Sequence, residues 1–171
     1  MIQYCLGICQ REMLKPIKVV NKIEVVSMKS AYSDVEHHTI IIDGISLDLV
    51  IHRQYPSDNL LGMIPTIIDW VDDPKEKEFL KKRFNSEGKE VVLPVLMCPD
   101  DCDLLCTVIV ANVVKADGFI IWERIGIDMS YEEFKLLGCD GIGSTVDWLE
   151  KIPAMIFEET QYSSQLSKIY D

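Results

Sequence analysis

Residues 90–127 read EVVLPVLMCPDDCDLLCTVIVANVVKADGFIIWERIGI. Three apolar runs lie in this stretch, at 90–98, 103–114 and 118–127, each short and rich in Val and Ile as strands are. Asp117-Gly118 parts the last two runs. Both residues tolerate the positive φ of a tight type I′ turn, so the pair predicts a hairpin. The middle run is apolar at nearly every position, the pattern of a central strand buried on both faces, and it places Cys106 inside that strand. Pro94 removes a ladder donor from the first run and marks it as an edge or a bulge. The meander sets the fold class: α+β, an antiparallel sheet around 90–127 with helices packed on it, in one domain spanning 1–171.

Upstream, IKVVNKIEVVSM at 17–28 reads as a strand and SAYSDVEHH at 30–38 as a polar loop. In TIIIDGISLDLVI, Asp43-Gly44 is a second hairpin signal. Its second arm also fits helical spacing through Leu47, Val50 and Ile51. Pro56, Gly62 and Pro65 break the chain into short pieces, with a short helix through Thr66, Ile67, Ile68 and Trp70. A clearer helix covers 74–85, PKEKEFLKKRFN. Pro74 suits its first position, and Asp72 and Asp73 complement the positive end of its dipole. Phe79, Leu80 and Phe84 form its inward face.

Downstream, Ser130 and Glu133 have capping-box spacing and start a helix, YEEFKLL, ended by Gly138. CDGIGS reads as a helix-to-helix link, followed by helical residues from Thr145 to Lys151. Past Pro153, residues 154–168 predict an amphipathic helix through Met155, Tyr162 and Leu166, with Ile169 continuing its stripe.

The chain has 171 residues, 48% hydrophobic and 26% charged, a globular composition that buries roughly two thirds of the unfolded surface without a staple. No apolar stretch approaches the ~20 residues of a membrane helix. The opening MIQYCLGICQREML has no basic residue before its apolar run, which makes it a poor secretory signal. The six cysteines then read as free thiols of the cytoplasm. A net charge of −11 argues against nucleic acid and against an anionic membrane, both of which need clustered cations. It fits solubility, or a face that steers a basic protein partner.

Five groups of residues invite chemistry. Cys98, Cys102 and Cys106 are spaced by four, as are Cys5 and Cys9, looser than the C-x-x-C knuckle of zinc sites, so they read as packing thiols and no metal or cofactor is expected. No histidine among His37, His38 and His52 is tied by sequence to a nucleophilic cysteine. His37-His38 lies in the polar loop, with the two rings pointing apart. The acidic turn PDDCD carries Asp100, Asp101 and Asp103, which could serve a metal-assisted hydrolase or simply form a solvated turn. It lacks the glycine and the distant glutamate of an EF-hand. Gly138, Gly141 and Gly143 fit neither phosphate-loop pattern. Trp70, Trp122 and Trp148 sit among apolar residues and read as packing rather than a base-stacking platform.

The stretch LPVLMCPDDCDLLCTVIVANVVKADGFIIWERIG, with IDGISLDLVI, resembles small bacterial proteins of the immunity class, which neutralise polymorphic or contact-dependent toxins. The likeness covers about half the chain, and the class shares no catalytic motif. It implies a cytoplasmic, non-catalytic inhibitor that occludes the active site of a basic toxin domain. The candidate contact residues are Asp72, Asp73, Asp100, Asp101 and Asp103, all in turns expected to be exposed. A hydrolase built on Asp100, Asp101 and Asp103 is the alternative reading.

Overall fold

The structure is a computed structural model that describes residues 19–30 and 32–171. In chain order the strands and α-helices are β1 (Ile23–Met28), β2 (His37–Ile42), β3 (Ile45–Ser46), α1 (Leu47–Gln54), β4 (Ile64–Pro65), α2 (Pro74–Phe84), β5 (Glu90–Met97), β6 (Val108–Ala116), β7 (Phe119–Asp128), α3 (Tyr131–Leu137), β8 (Val146–Trp148), β9 (Met155–Glu158) and α4 (Glu159–Tyr170). Strands β1, β2 and β3 form one sheet. The other runs β4-β5-β6-β7-β8, with β9 also on β7. Every pairing is antiparallel, so the fold is α+β as the meander implies.

Both Asp-Gly pairs make the turns expected of them. Asp43 and Asp117 sit at φ 49° and 51°, followed by Gly44 and Gly118 at 84° and 79°. These are the backbone angles of a tight hairpin that follows the strand twist. The first hairpin is short, because its second arm becomes α1 after two residues. Pro94 sits at a bulge, where the β5–β6 register shifts between Pro94 and Leu96. Strand β6 is central and Val108 to Val113 are all buried. On the far side of β7 two short strands share one edge. Strand β9 pairs with Phe119–Trp122 and β8 with Gly126–Asp128. A Cβ at Gly126 would lie 2.5 Å from Val146 Cγ1 and 2.7 Å from the Asp147 carbonyl, so glycine is what lets β8 dock.

Helices α2 and α4 pack on the sheets as expected. Asp73 caps α2 by accepting from Lys75 N at 2.8 Å. Glu158 caps α4 by accepting from Thr160 N and Gln161 N at 3.1 and 2.7 Å. The Trp122 indole donates to Tyr162 Oη at 3.1 Å, beside Phe157. Tyr170 Oη and Thr66 Oγ1 both donate to the Pro94 carbonyl, the group exposed by the bulge, at 2.7 and 2.9 Å. The small sheet joins the same core through α4, where Gln165 Oε1 accepts from Val25 N at 2.9 Å.

Several expectations are corrected. The strand expected over 103–114 begins at Val108, because 103–107 fold into a loop held by side-chain bonds. Cys106 is therefore exposed rather than buried in a strand. Thr145 to Lys151 hold strand β8 instead of a helix, so 138–144 link a helix to a strand through a 3-10 turn at Gly138–Gly141. Residues 155–158 pair with β7, and the helix expected from 154 starts at Glu159. In both places an open sheet edge overrides local helical preference. His37 and His38 belong to β2, and His37 is buried with its ring edge-on to Trp70. Ser130 precedes α3 without capping it. Its hydroxyl donates to Asp128 Oδ1 and accepts from Thr145 N instead. Residues 17 and 18 of the expected first strand, and Cys5 and Cys9, lie outside the described residues. Among the described residues, no helix is long and apolar enough to cross a membrane.

Candidate interaction surface

The loop 98–107 carries the acidic turn and three of the cysteines. Its shape follows from a few bonds. Cys102 takes a left-handed φ of 50°, and its N–H donates to the Cys98 carbonyl at 3.1 Å. Asp103 Oδ1 then accepts from Leu105 N and Cys106 N, both at 3.0 Å, an Asx-type turn. Leu104 points into the core, and its N–H donates to Glu76 Oε2 on α2 at 3.2 Å. Glu76 is only 3% exposed. Burial pushes its carboxyl above the ordinary range. The Leu104 N–H opposes that shift, and the charges of Asp103 and Asp73 add to it.

The same electrostatic contacts locate the expected acidic residues. Asp101, Asp103 and Asp72 all act on the Cys102 thiol. Glu76, Asp73 and Asp140 act on Cys139. Asp72, Asp101 and Asp103 thus act on the loop side, at Cys102, whereas Asp73 and Asp140 line a hollow between α2 and the 3-10 turn together with Lys75 and Lys82. Asp100 lines a groove of about 620 Å³ with Tyr32, Asp58, Met63 and Cys98. Among the described residues, none of these carboxylates has a Lys or Arg within ion-pair distance.

Asp100, Asp101 and Asp103 are put to three different uses. Asp100 lines the groove, Asp101 meets two thiols, and Asp103 is tied to its own backbone. No described histidine joins them, since His37 lines a separate hollow beside β2 and His38 shares its strand. Three ligand groups do converge. Cys98, Asp101 and Cys106 bring one ligand atom each to within 4.8 Å of one another. The Cys106 thiol is pushed up to about 11, first by burial and then by its bonds to Asp101 and Cys98, against a backbone bond from Thr107. The packing role expected of the cysteines is met at Cys102 and Cys139, which pack against the core, and not at Cys106. Cys98, Cys102 and Cys139 are half-buried and Cys106 is exposed.

The second feature is helix α3. None of its seven residues is buried. Tyr131 is 61% exposed, Leu136 83% and Leu137 62%. Met129 and Leu105 are also exposed, and with Tyr131 and the half-buried Phe134 they line a dip of about 150 Å³ between the helix and the loop. The helix is held in place from behind. Ser130 accepts from Thr145 N, and Thr145 Oγ1 donates to Glu133 Oε1 at 2.9 Å. Gly138 ends it at φ 64°. Sequence reasoning passed over this patch, and it weighed Cys98, Cys102 and Cys106 as a zinc set but read them as packing thiols, without Asp101. The adjacent Leu136 and Leu137, with Tyr131 five residues before, cannot share one inward stripe, and that was the available signal.

Geometrically this is an exposed apolar patch bordered by Asp73 and Asp140 and by Lys75 and Lys82, with the Lys135 ammonium 4.1 Å over the Tyr131 ring. Comparison with protein-family models, with curated proteins and with solved structures finds no match.

Proposed function

We propose that this chain is a non-catalytic binding protein of the cytoplasm that captures a basic protein domain. By the resemblance to immunity proteins, the partner is a toxin whose active site is covered. The observation that carries the reading is the exposed run Tyr131, Leu136 and Leu137 on α3, with Asp73 and Asp140 lining the hollow beside Leu137. Apolar anchors supply affinity where water is excluded, and the carboxylates steer a basic partner and speed its arrival. A net charge of −11 extends that attraction beyond the contact face.

The test asks first whether a neighbouring gene encodes a large secreted protein with a basic C-terminal domain. Absence of such a gene counts against the reading, and where it exists that domain is mixed with this chain. The two should form a complex whose association slows as salt is added, and cells producing the domain should survive when this chain is present. Leu136→Asp with Leu137→Asp should abolish both effects while the chain stays folded. No complex at low salt, or no protection, would remove the reading.

A further inference from the structure

We propose that Cys98, Asp101 and Cys106 form a binding site for a thiophilic divalent cation, with zinc as the probe. The three ligand atoms already lie within 4.8 Å of one another. Sulfur ligands of a tetrahedral zinc at about 2.3 Å stand about 3.8 Å apart, so closure requires a shift of about 1 Å or less. Two thiols with one carboxylate suit zinc rather than magnesium or calcium, which take oxygen ligands.

The ligands come from both ends of one connection. Cys98 directly follows β5, Asp101 sits in the turn, and Cys106 lies two residues before β6. The bonds that shape the loop use other groups: the Cys102 N–H on the Cys98 carbonyl, Asp103 on the amides of Leu105 and Cys106, and Leu104 N on Glu76. A cation therefore meets a largely prearranged site, which lowers the ordering cost of binding. Asp101 and Cys106 are exposed, so an entry path is open. Cys102 Sγ donates to the Pro99 carbonyl at 3.3 Å and stays outside the trio, which leaves a fourth position for water. Asp72 and Asp103 stand nearby without cationic partners among the described residues, and add attraction for a divalent ion.

The site stands on its own and does not depend on the partner reading. Zinc titrations of the reduced full chain against a chromophoric chelator should show one equivalent bound. Cobalt should give thiolate charge-transfer absorption. Cys106→Ser, at an exposed position that leaves the core untouched, and Cys98→Ser should each weaken zinc by more than the roughly 10- to 100-fold that loss of an outer-shell group costs. Asp101→Asn should weaken it less, and Cys139→Ser should leave it unchanged. Two results would overturn the assignment. One is no zinc bound beyond what a Cys98→Ser, Cys106→Ser double variant retains. The other is binding that survives the double variant and disappears with Cys5→Ser and Cys9→Ser.

Discussion

Helices α4 and α3 each carry four large apolar residues, yet the fold treats them in opposite ways. Tyr162, Leu166, Ile169 and Tyr170 of α4 are all buried. Tyr131, Phe134, Leu136 and Leu137 of α3 include none that is. The difference lies in spacing. In α4 the steps of four, three and one keep the apolar groups on one stripe, and that stripe closes the core over β1, β7 and β9. In α3 the steps of three, two and one spread them around a helix of only two turns. One helix is held by what it buries. The other is held from one side, by Phe134 against the core and by the Thr145–Glu133 bond, and leaves Tyr131, Leu136 and Leu137 exposed.

Truncation inside α4 gives the largest expected effect. Leu166→Ala should cost about 2–5 kcal/mol, the range for a fully buried leucine whose cavity relaxes only partly. Urea unfolding monitored by tryptophan fluorescence would measure it. A cost below about 1 kcal/mol would mean that α4 is not the lid of the core, and the contrast with α3 would collapse.

Between those extremes sits Glu76, a carboxylate buried where α2 meets the 98–107 loop. Glu76→Ala strands the Leu104 N–H and should cost about 1–3 kcal/mol. Glu76→Gln keeps an acceptor for that N–H and removes a desolvated charge facing Asp103 and Asp73, so at neutral pH it should equal or exceed the parent in stability. The pH dependence fixes the sign. The folded carboxyl holds its proton more tightly than the unfolded one, whose ordinary value is 4.5. Between the two values the native state binds more protons, so this group's contribution to stability falls as pH rises and is fully lost above the folded value. Urea midpoints from about pH 4 to 7 should show a gentler decline in Glu76→Gln than in the parent. Equal slopes would show that Glu76 ionises as an exposed glutamate does.

Much of the fold was readable because its strongest signals are local. Asp117-Gly118 and Asp43-Gly44 demand positive φ wherever they stand, and Pro94 forces a break in any ladder. What escaped is set by partners far along the chain. Met155 and Phe157 look helical beside Tyr162, yet the unpaired edge of β7 takes them as strand β9. Loop 103–107 is apolar enough for a strand, but Asp103 diverts it and Glu76, 28 residues before Leu104, holds it. The acidic turn was legible because aspartates favour turns, although Asp103 proves half-buried and Asp100 lines a separate groove. The convergence of Cys98, Asp101 and Cys106 depends on that diverted loop, and spacing along the chain does not encode it.

A smaller effect is expected at the far end of α4. Tyr170→Phe removes one of two donors to the Pro94 carbonyl, and Thr66 Oγ1 remains at 2.9 Å. No buried acceptor is orphaned, so the loss should be about 1 kcal/mol, the net value of a single neutral hydrogen bond. A loss near 3 kcal/mol would show that the ring stacked on Phe84 had shifted as well.

The smallest expected effect is the most diagnostic. Leu136 is 83% exposed, more than any other large hydrophobic residue among those described. Replacing it by Gln changes helix propensity little and removes almost no buried area, so Leu136→Gln should leave stability within about 0.5 kcal/mol of the parent. The same substitution deletes an apolar anchor from the proposed contact face, so affinity for a basic partner should drop about tenfold or more, the effect of a loss above 1.4 kcal/mol. The two readouts separate the possibilities. Unchanged stability with weakened binding places the residue's purpose outside the chain, as the contrast with Leu166 requires. A stability loss like that of Leu166→Ala would make α3 a second structural helix and end the comparison.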